Sequence, residues 1–275
     1  MLVVASVNVN GIRAAARRGM PAWLEQRQPD VLLLQEVRAD AETVAETLGE
    51  GWHVAEAVCA QRGRSGVAVA ARTPLRDVVT TLPGFETAGR WVEATVGEGA
   101  EAVRCVSVYV HSGEAGTERQ VDKVRFLAAV SMRLGALRAA EDAGGPPVVV
   151  CGDINIGHTE RDIKNWKGNR TKAGFLPEER AFLDSWYASG WVDVARAQAG
   201  DVDGPYSWWS WRGQAFDTDA GWRIDVHVAT ESLAARARSA EVDRAATYDA
   251  RFSDHAPVVV AYAGVGEEPA ATPDA

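Results

Sequence analysis

No apolar run in this chain of 275 residues approaches the roughly 20 residues that a membrane-crossing helix needs. Export signals are equally scarce. The start, MLVVASVNVN, has no positively charged leader and no small-residue cleavage site, and its alternation suits a strand. Cysteine is sparse too: Cys59, Cys105 and Cys151 are far apart and form no CxxC or Cys/His set, which excludes a thiolate zinc site and a disulfide framework. They read as reduced core thiols, and the expected location is the cytosol. A net charge of −9 argues against a general polyanion binder, although acids that hold a divalent cation would not count toward that balance.

What is present is a soluble composition, 47% hydrophobic and 24% charged, without a linker that would divide it. One domain over residues 1–263 is expected, with the Pro-, Gly- and acid-rich segment 264–275 reading as a disordered tail. Helical patterns run over Met20–Gln28, Ala39–Leu48, Gln120–Glu141 and Pro177–Ser189. Short β-rich runs lie at Val67–Ala71, Arg90–Val96, Ala102–Val110, Gly221–Ala229 and Pro257–Tyr262. The order is not strict βαβα alternation. It predicts an α/β protein in which mixed sheets pack on each other with helices outside, a four-layer sandwich.

Several apolar strands end in acids or amides. VVVCGDINIG delivers Asp153 and Asn155, two apart and so on one side of an extended chain. LVVASVNVNG repeats this with Asn8 and Asn10, and DVLLLQEV ends in Glu36. One such strand could simply be entering a turn. Three favour a shared polar site at one edge of the core. Adding Asp225 and Asp254 gives an oxygen-rich set that suits Mg²⁺, or Mn²⁺ in its place, and phosphoryl chemistry.

Of the five histidines, His255 stands out, because it follows Asp254 at a strand start and Asp225 in WRIDV can fix its tautomer. His53, His111, His158 and His227 read as structural. Tyr109 reads equally as a core aromatic or as a phenol reaching the site. Between Arg161 and Arg180 the cations Arg161, Lys164, Lys167, Arg170, Lys172 and Arg180 outnumber Asp162, Glu178 and Glu179, making a basic loop on an acidic protein. Trp208, Trp209, Trp211 and Trp222 share a turn-rich stretch with Arg212 and Arg223, an interleaving that can grip nucleotides or a sugar.

The ordered set NVNGIRA, PDVLLLQE, GDINIGH, IKNWKGNRTKAGFLPEER, WWSWRG, GWRID and SDHAP resembles the exonuclease III type of apurinic/apyrimidinic (AP) endonuclease within the endonuclease/exonuclease/phosphatase superfamily. The resemblance runs from about residue 3 to about residue 262. It implies a nuclease that incises 5′ to abasic sites and removes 3′ nucleotides or blocking groups from duplex DNA; a monomer is the default expectation. By position it makes Glu36 the principal metal ligand, with Asn8, Asn10 and Asp254 lining the metal and phosphate region. Asp153 would align or deprotonate water, Asn155 would donate to the phosphate, and so would Tyr109 and His255, the latter held by Asp225. Asn169 would lie near the abasic nucleotide, and Trp208, Trp222 and Ile224 would form the pocket for a flipped baseless sugar. Arg38, Arg170, Lys172 and Arg212 fall at or beside DNA contacts. The chain departs from the pattern at Asn10, where many relatives have Asp; at Arg38, commonly Lys; at Lys172; at Val226; and in the VHSG that follows Tyr109. Two rivals stand beside this reading: a superfamily phosphoesterase acting on lipid or inositol phosphates, and a noncatalytic DNA-binding protein.

Overall fold

The computed structural model describes residues 1–61 and 63–267. Its strands are β1 (Leu2–Asn8), β2 (Val31–Gln35), β3 (His53–Ala57), β4 (Val67–Ala71), β5 (Arg76–Val79), β6 (Trp91–Val96), β7 (Val103–Tyr109), β8 (Val148–Asp153), β9 (Trp191–Asp193), β10 (Asp225–Thr230), β11 (Ala237–Val242) and β12 (Val258–Tyr262). The helices are α1 (Ile12–Arg17), α2 (Met20–Arg27), α3 (Ala41–Leu48), α4 (Glu118–Asp142), α5 (Pro177–Ala188), α6 (Val194–Ala199) and α7 (Glu231–Ala234).

Two six-stranded sheets result, in the orders β11-β12-β1-β2-β4-β3 and β5-β6-β7-β8-β10-β9. In each, a central parallel pair, β1/β2 or β7/β8, is flanked by antiparallel neighbours. Strands buried on both faces read as continuous apolar runs, and the side-chain alternation divides their residues between two cores. Val31 and Leu33 of β2, like Val149 and Cys151 of β8, enter the core between the sheets. Leu32 and Leu34 meet Ile12, Met20, Leu24 and Val44 of α1–α3 on one outer face. Val148 and Val150 meet Phe126, Leu127, Val130 and Leu134 of α4, with Leu183 and Trp186 of α5, on the other. The expected sandwich is therefore the observed one.

The same alternation places the polar strand ends. Counting by two from the inner core, β1 reaches Asn8, β7 reaches Tyr109, β8 reaches Asp153, and β10 begins at Asp225. All four side chains are thus delivered to one edge of the inter-sheet layer. A polar clip fixes the sheets' relative position there: Ser107 Oγ donates to Leu34 O at 2.8 Å, and Gln35 Nε2 donates to Ser107 Oγ at 2.9 Å.

Some expectations need correction. Residues 221–224 precede β10 as irregular chain, because Trp222 bridges Trp208 and Ile163 instead of joining the sheet. Cys59 is half-buried in irregular chain after β3, whereas Cys105 and Cys151 are fully buried. Residues 264–267 form a turn in which Val265 N donates to Glu101 Oε1 at 2.7 Å; the rest of the expected tail, 268–275, lies outside the described residues.

Candidate active site

The strand register sets two acids against each other. Asp225 and Asp153 are directly opposite across β10 and β8, and both are buried, at 2% and 1% exposure. Like charges so placed repel. His255, delivered by the turn before β12, lies between them. Its Nδ1 is 2.9 Å from Asp225 Oδ2, and its Nε2 is 3.8 Å from Asp153 Oδ2. Burial works against a charged imidazole, but Asp225 and then Asp153 outweigh it and hold His255 above its ordinary value. Burial also drives the Asp153 carboxyl upward; the His255 cation opposes this, and the Asp225 and Glu36 charges add to it.

Ser207 completes the dyad, its hydroxyl donating to Asp225 Oδ2 at 2.6 Å while accepting from the backbone N–H of Asp225 at 3.1 Å and of Ile224 at 3.2 Å. With both oxygens of Asp225 engaged, Nδ1 is the protonated nitrogen and Nε2 faces the cleft as a donor.

Asn8 bridges the next two acids. Its Nδ2 donates to Glu36 Oε1 and to Asp153 Oδ2, each at 2.9 Å, while its Oδ1 accepts from Asn10 N at 3.0 Å. Asn10 in turn donates from Nδ2 to Asp254 Oδ1 at 2.8 Å. Asn155 binds Asp153 twice, from its backbone N to Oδ1 at 2.9 Å and from Nδ2 to Oδ2 at 3.0 Å, and Nδ2 also reaches Val110 O at 2.9 Å. Both amide protons of Asn155 are thereby engaged, so donation to a substrate oxygen would exchange one of these bonds. Burial, with the Glu36 and Asp153 charges, raises Tyr109 above its ordinary value and keeps the phenol a neutral donor.

The turns that aim these groups are strained. Asn10, Glu36, Arg38 and Asn155 have φ of 47°, 48°, 53° and 51°, a left-handed region that costs non-glycine residues about 1 kcal/mol or more. Gly152 is required next to them: its φ is 149°, and a Cβ there would lie 1.9 Å from Val108 O.

The donor set fits a hard divalent cation. Glu36 and Asp254, both partly exposed at the cleft, offer carboxylate oxygens, and no thiolate or multi-histidine set competes among the described residues. The Arg38 guanidinium pairs with Glu36 Oε2, so the place already holds a positive group. Asp153, Asp225 and His255 also converge, with one atom of each within 4.8 Å of the others, but Asp225 is fully occupied by His255 and Ser207. That trio is the proton-handling part of the site.

Trp208 and Trp222 meet edge to face at 6.3 Å, and Trp208 Nε1 donates to Asp254 Oδ2 at 3.1 Å. Both are half-buried, and Ile224 behind them is 4% exposed. Trp209 and Trp211 have structural roles: Trp209 packs on Phe216 with Nε1 on Asp219, and Trp211 packs on Tyr248 and Arg251. The basic loop is tied to the pocket by Lys164 N, which donates to Gly221 O at 3.1 Å. Asn169 turns its amide back to Asn165 O, and Arg170 stacks on Trp166 at 4.5 Å. Arg38, Arg170, Lys172 and Arg212 are exposed. Lys172 and Arg212 stand on flanking turns instead of at the centre.

Sequence reasoning did not single out Ser207, or the buried network in which Arg223 donates to Asp162 Oδ1 at 2.6 Å and to Asp193 Oδ2 at 2.8 Å beside the pocket wall. A polar residue directly before a tryptophan pair and an arginine between Trp222 and Ile224 were the only local cues.

Two packed mixed sheets with an acid–histidine–acid line, an oxygen-donor cluster and an aromatic pocket at one edge define a phosphoester-hydrolase type of protein. The chain belongs to the Endonuclease/Exonuclease/phosphatase family, which it matches over residues 5–255. It is 33% identical to the exodeoxyribonuclease of Bacillus subtilis (strain 168), across 92% of this chain and 96% of the relative. It is 30% identical to DNA repair nuclease APEX1 of Danio rerio, across 94% and 81%. In three dimensions it is similar to an AP endonuclease from Archaeoglobus fulgidus, with TM-score 0.83, 25% identity and coverage of 95% and 99%. A 3′ phosphatase, NExo, from Neisseria bound to product DNA hairpin gives 0.82 and 26% over 96% and 100%.

Proposed function

We propose that this protein is a divalent-metal-dependent DNA repair nuclease that acts in the cytosol as a monomer, incising duplex DNA 5′ to abasic sites and removing 3′ nucleotides or blocking groups. The observation that carries this reading is the Asp225–His255–Asp153 line standing next to the Trp208–Trp222 pair. A phosphodiester held there meets a proton acceptor, fixed donors and an aromatic slot at once.

Hydrolysis needs a water proton removed and charge stabilised on the phosphate oxygens. Asp153, raised by burial toward the neutral range, is suited to take that proton. Its two oxygens are held by Asn155 and Asn8, which fix the direction of attack. His255 donates from Nε2 to a nonbridging oxygen, its charge sustained by Asp225, and Tyr109 donates from the opposite strand. Glu36 and Asp254 would hold Mg²⁺, or Mn²⁺ in its place, which when bound would supply Lewis-acid stabilisation of the phosphate charge. Trp208, Trp222 and Ile224 accept a sugar without a base, for which unstacking costs least. Arg38, Arg170, Lys172 and Arg212 provide backbone charge on a chain whose net charge is −9.

The test is a labelled duplex bearing one tetrahydrofuran abasic mimic, incubated with Mg²⁺ or EDTA. Wild type should incise 5′ to the lesion only with metal, and Asp153→Asn should lose at least ~10² in rate. Absence of incision and of 3′ trimming with every divalent metal tried would sink the reading and turn attention to lipid and inositol phosphates.

A further inference from the structure

Lys123 of α4 and Glu179 of α5 form an ion pair at 2.6 Å with both side chains 0% exposed. Removing two charges from water costs several kcal/mol each, and an apolar pair of similar size packs two helices at no such cost. The helices already share an apolar contact through Phe126, Leu127, Leu183 and Trp186. What the charges reach besides each other is therefore informative. Lys123 Nζ also donates to Asn155 O at 2.9 Å. Glu179 Oε2 accepts from Gly174 N at 2.6 Å and from Leu176 N at 3.1 Å, and Oε1 also accepts from Gln120 Nε2 at 3.0 Å.

The two backbone points so held belong to the two halves of the site. Asn155 sits in a left-handed turn at φ 51° with its amide on Asp153. Gly174, at φ 92°, lies under Trp222, where a Cβ would come within 3.0 Å of Cζ3. A bond from Gly157 N to Gly174 O at 2.9 Å joins the turns directly. A turn in a sparsely populated conformation persists only when its surroundings over-determine it. A buried cation on its carbonyl does so.

We propose that Lys123 and Glu179 are a positioning pair that locks the Asn155 turn to the Gly174 turn, so that the Asn155 amide that holds Asp153 and the Trp222 wall move as one unit. The pair touches no substrate and acts through Asn155 and Trp222. This rests on the nuclease reading above and names residues that the reading does not need.

The experiment compares wild type with Lys123→Met/Glu179→Gln, a nearly isosteric neutral replacement that leaves no uncompensated charge, each with and without Asn155→Ala. Melting curves verify folding, and Lys123→Gln, which keeps a donor for Asn155 O, serves if the replacement does not fold. On an abasic duplex with Mg²⁺ the replacement should lower kcat about tenfold in the wild-type background and less than about threefold once Asn155 is alanine, because the two act together. A merely structural pair would give the same fold loss in both backgrounds. That outcome, or an unchanged kcat, overturns the proposal. Failure of wild type itself to cleave would instead count against the nuclease reading.

Discussion

Replacing Asp225 with Asn separates two ways His255 could serve the reaction. The substitution keeps shape and removes charge. Ser207 Oγ, now 2.6 Å from Oδ2, would donate to the amide oxygen, which turns the amide NH2 toward His255 Nδ1. That nitrogen must then be bare, and the ring proton moves to Nε2. If Nε2 acts as a donor to the phosphate, the variant keeps its proton and loses the charge that Asp225 sustains. Charge-assisted hydrogen bonds are about twice as strong as neutral ones, so a loss of about 1–3 kcal/mol, roughly 5- to 150-fold in kcat, is expected. If Nε2 were the general base, it would hold a proton where a lone pair is needed, and the loss would approach the ~10⁴ known for the wrong tautomer in serine hydrolases. Single-turnover incision of an abasic duplex at saturating Mg²⁺ and neutral pH reads the difference. A loss near ~10⁴, or none, would refute the donor assignment and with it the role given to Asp153.

Two further substitutions test other parts of the molecule. Trp222→Ala removes one face of the edge-to-face pair and should cost roughly 10- to 100-fold in kcat/KM at an abasic site while trimming of ordinary 3′ nucleotides falls less; an equal loss on both substrates would argue against the pocket. His227 is fully buried, neither ring nitrogen has a partner, and burial pushes it down to about 3. The folded state thus binds its proton less readily than the unfolded state, so stability is complete above about pH 6.5 and is lost as pH falls from there toward about 3, by up to about 5 kcal/mol. His227→Phe should flatten that decline in urea melts between neutral and acidic pH, and an unchanged decline would assign acid sensitivity elsewhere.

The site was more legible than the geometry that assembles it. Asp153 and Asn155 were expected to converge because alternate residues of a strand share a side. They do converge, but β8 ends at Asp153, and the turn at Asn155, not the pleat, brings its amide back. Glu36 and Asn10 stand beyond strand ends in the same way. The strands that escaped notice, β3, β5, β9 and β11, are the four edges of the two sheets. An edge strand meets solvent, carries mixed polarity and gives little periodic signal; β5 is almost wholly exposed and β11 half-buried throughout most of its length. Lys123 and Glu179 escaped for the opposite reason. Charged residues in a helical pattern read as solvated faces, and nothing local announces that these two point inward.

The sheet formed by β1–β4 takes its remaining strands, β11 and β12, from the far end of the chain, while the other sheet is continuous from β5 to β10. A growing polypeptide can therefore complete the second sheet while the first still has an open edge along β1, where β12 will pair. Asp254 and His255 arrive on the turn just ahead of that closing strand. Until it docks, the nascent chain has Glu36 and Asp153 but neither the imidazole nor the carboxylate that complete the centre. The centre is therefore complete only once the last strand is in place beside β1.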